Sequence, residues 1–293
     1  MGKFDGITLI SDIDGTLFSS PGTIPQANVE AAEYFMANGG RFAVATGRSQ
    51  VSIAKNFDKF RVNTPCIVLN GTGLYDYSLG GFILKRICND RLREVTARTH
   101  ARFPGLTCYV FTGERIYTPG HGEYQAQVEA IEVMKSRIAD FPEMDPYWLK
   151  SIFYAAPEQL KQVQAYVDEL NDGSFDTVYS ADKIFELMPK GANKGTMIHE
   201  YAKIMDVPVG NICAIGDYYN DREMLAAAGF TAAPAGAPDE IKALVDVQVC
   251  DCRDGAVADF IRIIEQNLAR FQKKMSYPDT AFFYVLVPPL SRA

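Results

Sequence analysis

The feature that most constrains this chain is an alternation that starts, stops and starts again. Short apolar segments at 6–12 (GITLISD), 41–46 (RFAVAT) and 66–69 (CIVL) are separated by segments of helical spacing at 25–38 and 49–60. Pro25 suits the first turn of a helix and Gly39-Gly40 its end. Near-continuous apolar strands alternating with helices predict a parallel sheet covered on both faces. An antiparallel hairpin is predicted at 73–77 and 81–87, around Ser78-Leu79-Gly80. The first rhythm returns after residue 188, with helices at 192–205, 220–228, 238–244 and 254–270 and strands at 210–216, 229–233 and 246–250. The simplest account is a doubly wound, Rossmann-like α/β core of residues 1–87 and 188–272, interrupted by an inserted domain.

The insertion, 88–187, has its own pattern. Helices are predicted at 89–103, 123–139 and 157–170, and strands at 106–111, 115–118, 148–155, 175–179 and 183–188. Tyr124, Val128, Ile131, Met134 and Ile138 share one face of the second helix, and Leu160, Val163, Val167 and Leu170 one face of the third. This is an α+β cap. Gly80-Gly81 and Pro189 to Gly191 are its expected hinges, which would let it close as a lid. Trp148, Tyr109, Phe111, Tyr117, Tyr147, Phe153 and Tyr154 are read as cap core, a few of them facing a substrate. The segment 273–293 contains AFFYVLV and suits an extra edge strand or a self-association surface.

Charge and composition remove several classes of function. Against 29 Lys and Arg stand 36 Asp and Glu, a net charge of −7, which argues against a nucleic-acid partner. No apolar run approaches the ~20 residues that cross a bilayer. Acids interrupt the N-terminal segment where a signal peptide needs its apolar stretch, and Gly6 stands where a myristoylation signal needs Ser or Thr. A cytoplasmic protein without a membrane partner is expected. The six cysteines contain no CxxC pair, and neither Cys250-Asp251-Cys252 nor the three histidines have zinc-ligand spacing, so buried thiols are expected.

Ligands of open parallel sheets sit at the carboxyl ends of the strands. Asp12 and Asp14 follow the first strand, Thr46 the second, and Asp217, Asn220 and Asp221 a late one, while Lys194 starts the preceding helix. Asp12 and Asp217 offer the hard oxygens that suit Mg²⁺, which offsets repulsion between a phosphate and nearby carboxylates. Asp12 can then attack phosphorus and form an aspartyl-phosphate. Asp14, a like charge nearby, is expected to have a raised pKa and to act as acid and base. Thr46 and Lys194 would hold the non-bridging oxygens. Asp12 and Asp14 also suit a turn, but an apolar strand ending in carboxylates is costly without a cation. Thr46-Gly47 doubles as an ordinary helix entry, Arg48 as a solvated helix residue, and Asp217, Asn220 and Asp221 as N-cap residues.

These segments, DIDGT at 12–16, ATGR at 45–48, Lys194 in NKGT and GDYYND at 216–221, resemble the four motifs of the haloacid dehalogenase-like superfamily. The insertion between the second and third resembles the Cof-type (class IIB) branch, as do Asn70-Gly71 and Asp254-Gly255-Ala256-Val257. The resemblance covers roughly 6–270. It implies Asp12 as nucleophile and metal ligand, Asp14 as acid/base and ligand through its backbone carbonyl, and Asp217 as a further ligand. Asn220 and Asp221 would support that ligand, Asn220 also reaching the substrate with Gly47 and Arg48, and Thr46 and Lys194 would contact the phosphoryl group. The sequence departs from the branch at Ala235-Gly236-Ala237, where Gly236 replaces an asparagine.

The reading is a Mg²⁺-dependent phosphatase of a small phosphate ester, a sugar phosphate or similar metabolite. A phosphomutase of the same superfamily would reuse the phosphoenzyme and is the alternative. A signalling receiver would carry its phospho-Asp after the third strand, where this chain has Asn70-Gly71. A binding protein without activity would have lost a reactive residue, and none of the four motifs has.

Overall fold

In the computed structural model of the chain, residues 2–20, 22–132 and 134–271 are described. The segment 273–293 therefore lies outside the described residues. The first block forms β1 (Thr8–Ser11), α1 (Gln26–Ala37), β2 (Arg41–Val44), α2 (Gln50–Ala54) and β3 (Cys66–Val68), then the hairpin β4 (Gly73–Asp76) and β5 (Gly81–Lys85). The insertion forms α3 (Asp90–Arg102), β6 (Thr107–Phe111), β7 (Ile116–Thr118), α4 (Gln125–Glu132), β8 (Arg137–Ile138), β9 (Lys150–Tyr154), α5 (Pro157–Leu170), β10 (Phe175–Ala181) and β11 (Ile184–Pro189). The last block forms α6 (Lys194–Ile204), β12 (Ile212–Ile215), α7 (Arg222–Ala227), β13 (Phe230–Pro234), α8 (Asp239–Lys242), β14 (Val247–Val249) and α9 (Ala256–Gln266).

The core sheet runs β14-β13-β12-β1-β2, every pair parallel. β1, β12 and β13 are buried at each position, as strands covered on both faces must be. α1 packs on α9 and α6 on α7. β3 extends the sheet beyond β2 through a parallel bridge between Ala45 and Ile67. The order of connection reverses at β1: the chain first builds β2 on one side of it and, after the insertion, β12 on the other. That switch point lies between β1 and β12 and leaves a crevice at their carboxyl ends.

The cap is a six-stranded sheet, β10-β11-β9-β6-β7-β8, with an α+β makeup as expected. Alternation along its strands sorts the side chains to two faces. Cys108, Val110, Phe153, Phe185 and Leu187 join Leu92 and Val95 of α3 and Leu160, Val163 and Val167 of α5 in one buried cluster with Trp148. Tyr109, Phe111 and Ile152 face the other way and join the apolar cluster of the core.

Three expectations need correction. The helix expected over 123–139 ends at Glu132, and Arg137–Ile138 is a strand on β7. Glu129 Oε1 accepts the Ser136 N–H at 3.1 Å and its hydroxyl at 2.6 Å, folding the chain back, and Ile138 is exposed. The helix expected over 49–60 is regular only to Ala54, then continues as successive turns to Phe60. Gly80-Gly81 is the tip of the β4–β5 hairpin, not a hinge. The chain crosses between sheets at 86–89 and 190–193, and Arg86 joins the two crossings by donating to Gly191 O (2.7 Å) and Thr196 Oγ1 (2.8 Å). Among the described residues no helix is long and apolar enough to cross a membrane, and all six cysteines are free thiols.

Candidate active site

Asp12 stands one residue past β1, its N–H still bonded to Ile215 O at 2.9 Å, so the sheet itself delivers the carboxylate to the switch point. The following turn is closed by Phe18 N–H on Ile13 O at 2.7 Å. Gly15 makes that turn possible. Its φ is +87°, and a Cβ would lie 2.4 Å from Asp217 Oδ2, so the carboxylate occupies space any side chain would need. Asp217, beyond β12, accepts the Thr16 hydroxyl at 2.8 Å.

Lys194 is the first residue of α6, whose start is fixed by a reciprocal cap between Asn193 and Thr196. Its side chain is fully buried. The ammonium lies 2.7 Å from Asp12 Oδ1 and 2.6 Å from Asp221 Oδ1. Asp221 Oδ2 accepts the N–H groups of Asp217 (3.0 Å) and Tyr218 (3.1 Å), which shapes the loop after β12. Asn220 donates to Asn70 Oδ1 at 3.0 Å, and Asn70 N–H bonds Thr46 O at 2.9 Å, linking that loop to the one after β2. Thr46 is buried and its Oγ1 accepts the Arg48 N–H at 3.1 Å.

Carboxylate oxygens of Asp12, Asp217 and Asp221 come within 4.8 Å of one another. Burial, the larger cause, and the neighbouring carboxylates raise Asp12 well above the usual carboxyl range against the pull of Lys194. Burial and then Asp221 push Asp217 up to about 7. For Lys194 burial acts downward, but Asp12 and Asp221 outweigh it and hold the ammonium above its ordinary value. With all three carboxylates ionised, one ammonium would leave two negative charges uncompensated, the deficit that a divalent cation on hard oxygen ligands fills. The residues present therefore fit Mg²⁺.

Asp14 departs from its expected setting. Its side chain is 52% exposed, and Arg48 grips both oxygens, Nε on Oδ2 at 2.8 Å and Nη2 on Oδ1 at 2.5 Å. Burial raises the carboxyls of Asp12 and Asp217 on the rim and of Glu132 on the cap side. Gly236 is not among the residues lining the cleft.

The rim opens into a cleft of about 590 Å³ whose lining includes Asp12, Asp14, Thr46, Gly47, Arg48, Asp217 and Asn220 from the core. The opposite wall is the cap sheet's second face. Of the cap aromatics, Phe111 and Tyr154 line the cleft, Trp148, Tyr109 and Phe153 are buried, and Tyr147 is exposed. Residues not anticipated from the sequence join the two sides. Lys150 Nζ, almost fully buried, donates to Glu186 Oε2 and to Gly47 O, both at 2.9 Å. Glu132, buried at the end of α4, accepts the Ser49 N–H at 3.1 Å. Tyr218 donates its hydroxyl to Asp182 Oδ1 at 2.7 Å. A lone lysine and glutamate inside the apolar strands LKSIFY and IFELM were the available signal.

The haloacid dehalogenase-like hydrolase family matches residues 9–261. Phosphatase YwpJ of Bacillus subtilis is 26% identical, over 86% of this chain and 97% of its own. Pyridoxal phosphate phosphatase YbhA of Escherichia coli is 25% identical, over 85% and 95%. A haloacid dehalogenase-like hydrolase of Bacteroides thetaiotaomicron shares the fold with a TM-score of 0.79 at 22% identity, over 88% and 99%. A solved subclass IIB sugar phosphatase does so with a TM-score of 0.74 at 19% identity, over 90% and 100%. The chain belongs to the haloacid dehalogenase-like hydrolase family, in its Cof-type branch, and is a phosphoric monoester hydrolase.

Proposed function

We propose that this chain is a Mg²⁺-dependent phosphatase that hydrolyses a small phosphate monoester through a phosphorylated Asp12. The observation that carries the reading is the buried Lys194 ammonium between Asp12 and Asp221, with Asp217 alongside. Asp12, Asp217 and the Asp14 carbonyl would hold Mg²⁺, and Asp221 would orient the loop that carries Asp217. When bound, the ion offsets the repulsion between the substrate phosphate and the carboxylates.

Asp12 attacks phosphorus as the ester oxygen departs, taking its proton from Asp14. Water then attacks the phosphorylated Asp12, giving its proton to Asp14 and releasing inorganic phosphate. Lys194 and Thr46 hold non-bridging oxygens throughout. Arg48, bound to Asp14 in the structure, can exchange that carboxylate for the incoming phosphate, which frees Asp14 to move its proton. In this reading residues 1–87 and 188–272 are the core domain, 88–187 the cap that covers the rim, and the free thiols fit a reducing, cytoplasmic setting.

A phosphate-release screen over metabolite esters, with Mg²⁺ and with EDTA, tests the reading. Release in Mg²⁺ and none in EDTA is expected. Undiminished turnover in the chelated protein would remove the roles given to Asp12 and Asp217.

A further inference from the structure

Arg48 sits in a segment that the core and the cap hold together. Its own backbone is tied within the core: its N–H donates to Thr46 Oγ1 at 3.1 Å, and its carbonyl accepts the Leu69 N–H at 3.0 Å. The residues on either side of it are tied to the insertion. Lys150 of β9 donates to Gly47 O at 2.9 Å, and Glu132 at the end of α4 accepts the Ser49 N–H at 3.1 Å. Two further bonds extend this seam along α2, from Gln50 Nε2 to Gly113 O and from Ser52 Oγ to Ile131 O at 2.7 Å. The Arg48 guanidinium makes its own hydrogen bonds to Asp14 of the core.

Lys150, Glu186 and Glu132 are charged groups buried at this seam. Covering a cleft does not require them, because apolar side chains of similar volume often replace a buried ion pair at equal or better stability. What apolar side chains cannot do is take hold of a carbonyl or an N–H at a fixed point of the backbone. Lys150 takes one such group and Glu132 another, and the two points flank a single residue. That residue is Arg48. A displacement of about 1 Å in a segment of this kind can cost on the order of 10²-fold in rate.

We propose that Lys150 and Glu132 are positioning residues for Arg48: they fix the backbone from Gly47 to Ser49 against the cap, and so set the guanidinium where it can pass from Asp14 to the phosphoryl group. The inference rests on the phosphatase reading of the rim and adds to it two cap residues that act through Arg48. The apolar side chains of the wall are left to face the leaving group, while these two charged ones serve the rim.

A double-mutant cycle with Arg48→Ala tests this, read as kcat/KM on p-nitrophenyl phosphate in Mg²⁺ and as affinity for inorganic phosphate by calorimetry. Glu132→Met removes the acceptor of the Ser49 N–H. It should lower both readings about tenfold or more in the unaltered chain, yet less than about twofold beside Arg48→Ala, where no guanidinium is left to misplace. Lys150→Met, made together with Glu186→Gln so that no buried charge is left alone, should show the same pattern. Glu132→Asp keeps the charge but draws the acceptor back, and takes the place of Glu132→Met if circular dichroism shows that variant unfolded. Equal losses with and without Arg48 would overturn the proposal, because a merely structural defect weakens both backgrounds alike. The Glu132 charge also acts on Arg48 directly. Glu132→Gln keeps an acceptor for the Ser49 N–H without that charge, so it should recover most of the loss. A loss as large as that of Glu132→Met would overturn the positioning role too. In a protein that binds phosphate with the expected coupling but hydrolyses no ester, the positioning role stands and the phosphatase reading alone falls. Absence of both turnover and phosphate binding would overturn both.

Discussion

Two surfaces face each other across the cleft, and they hold their side chains by different means. On the rim, Asp12, Asp221, Asp217 and Lys194 are placed by charge, each within hydrogen-bonding distance of a partner fixed by a strand end or helix start. On the cap wall, Phe111, Ile152, Tyr154 and Ile184 are placed by strand alternation and by packing. Moving a charge on the rim strands its partners in a buried site, whereas resizing an apolar side chain costs packing and reshapes the surface offered to a ligand. On the proposed function, the arrangement separates what is done to phosphate from what is done to the rest of the molecule.

The sharpest way to break this comparison is Asp12→Asn. The amide keeps the size of the side chain but cannot attack phosphorus, so phosphate release should fall on the order of 10⁴-fold or more while the circular dichroism spectrum is unchanged. Residual turnover above a few per cent would assign the nucleophile elsewhere. Asp14→Asn should follow, costing ~10²–10⁴-fold on an alkyl phosphate and clearly less on p-nitrophenyl phosphate, whose leaving group needs little protonation. Equal losses on the two esters would end the acid/base role.

Lys150→Met probes the ion pair that the apolar wall contains. It leaves Glu186 buried without its cation, and thermal or urea unfolding should show a loss of about 3–5 kcal/mol. Adding Glu186→Gln should recover part of that loss; no recovery would mean that Lys150 stabilises through Gly47 O and packing. The smallest effect is on pH dependence. Asp217 holds its proton up to about pH 7 in the metal-free fold, whereas an unfolded aspartate releases it near its ordinary value. The folded state therefore binds more protons between those values, and stability in EDTA should rise as pH falls from 8 through 7 toward 5. The gain should appear as a Tm increase of a few degrees, at about 2–4 °C per kcal/mol. Mg²⁺ should flatten the slope, and a Tm in EDTA independent of pH would contradict the charge crowding at Asp217.

The rim was legible in the sequence because each of its residues breaks a local pattern, a carboxylate closing an apolar strand or a hydroxyl beginning a helix. The parallel core was legible for a related reason, since its strands are apolar without interruption. Spacing hid what depends on partners far along the chain. Asp221 was read as a support for Asp217, and the structure adds that it shares the Lys194 ammonium with Asp12. The cap wall was not legible because both faces of its sheet are apolar: Cys108 and Val110 point to the helices, Tyr109 and Phe111 to the core, and no polarity marks the difference. The end of α4 was missed because Glu129 holds Ser136 by a contact that periodicity does not contain.

The distance in sequence between the two halves of the rim has a consequence for how the protein is made. Lys194 and Asp12 lie 182 positions apart, and the Thr16–Asp217 bond spans 201. As the chain grows from its N-terminus, one edge of β1 stays bare until Ile212 is added, because β12 is its partner there. The cap sheet draws all its strands from residues 107–189 and can close in the meantime. An unpaired central strand is an aggregation hazard, and pairing over such separations is slow. The newborn core is therefore the part that needs shelter during synthesis. The rim is completed last, so it does not exist before the cap that faces it has been made.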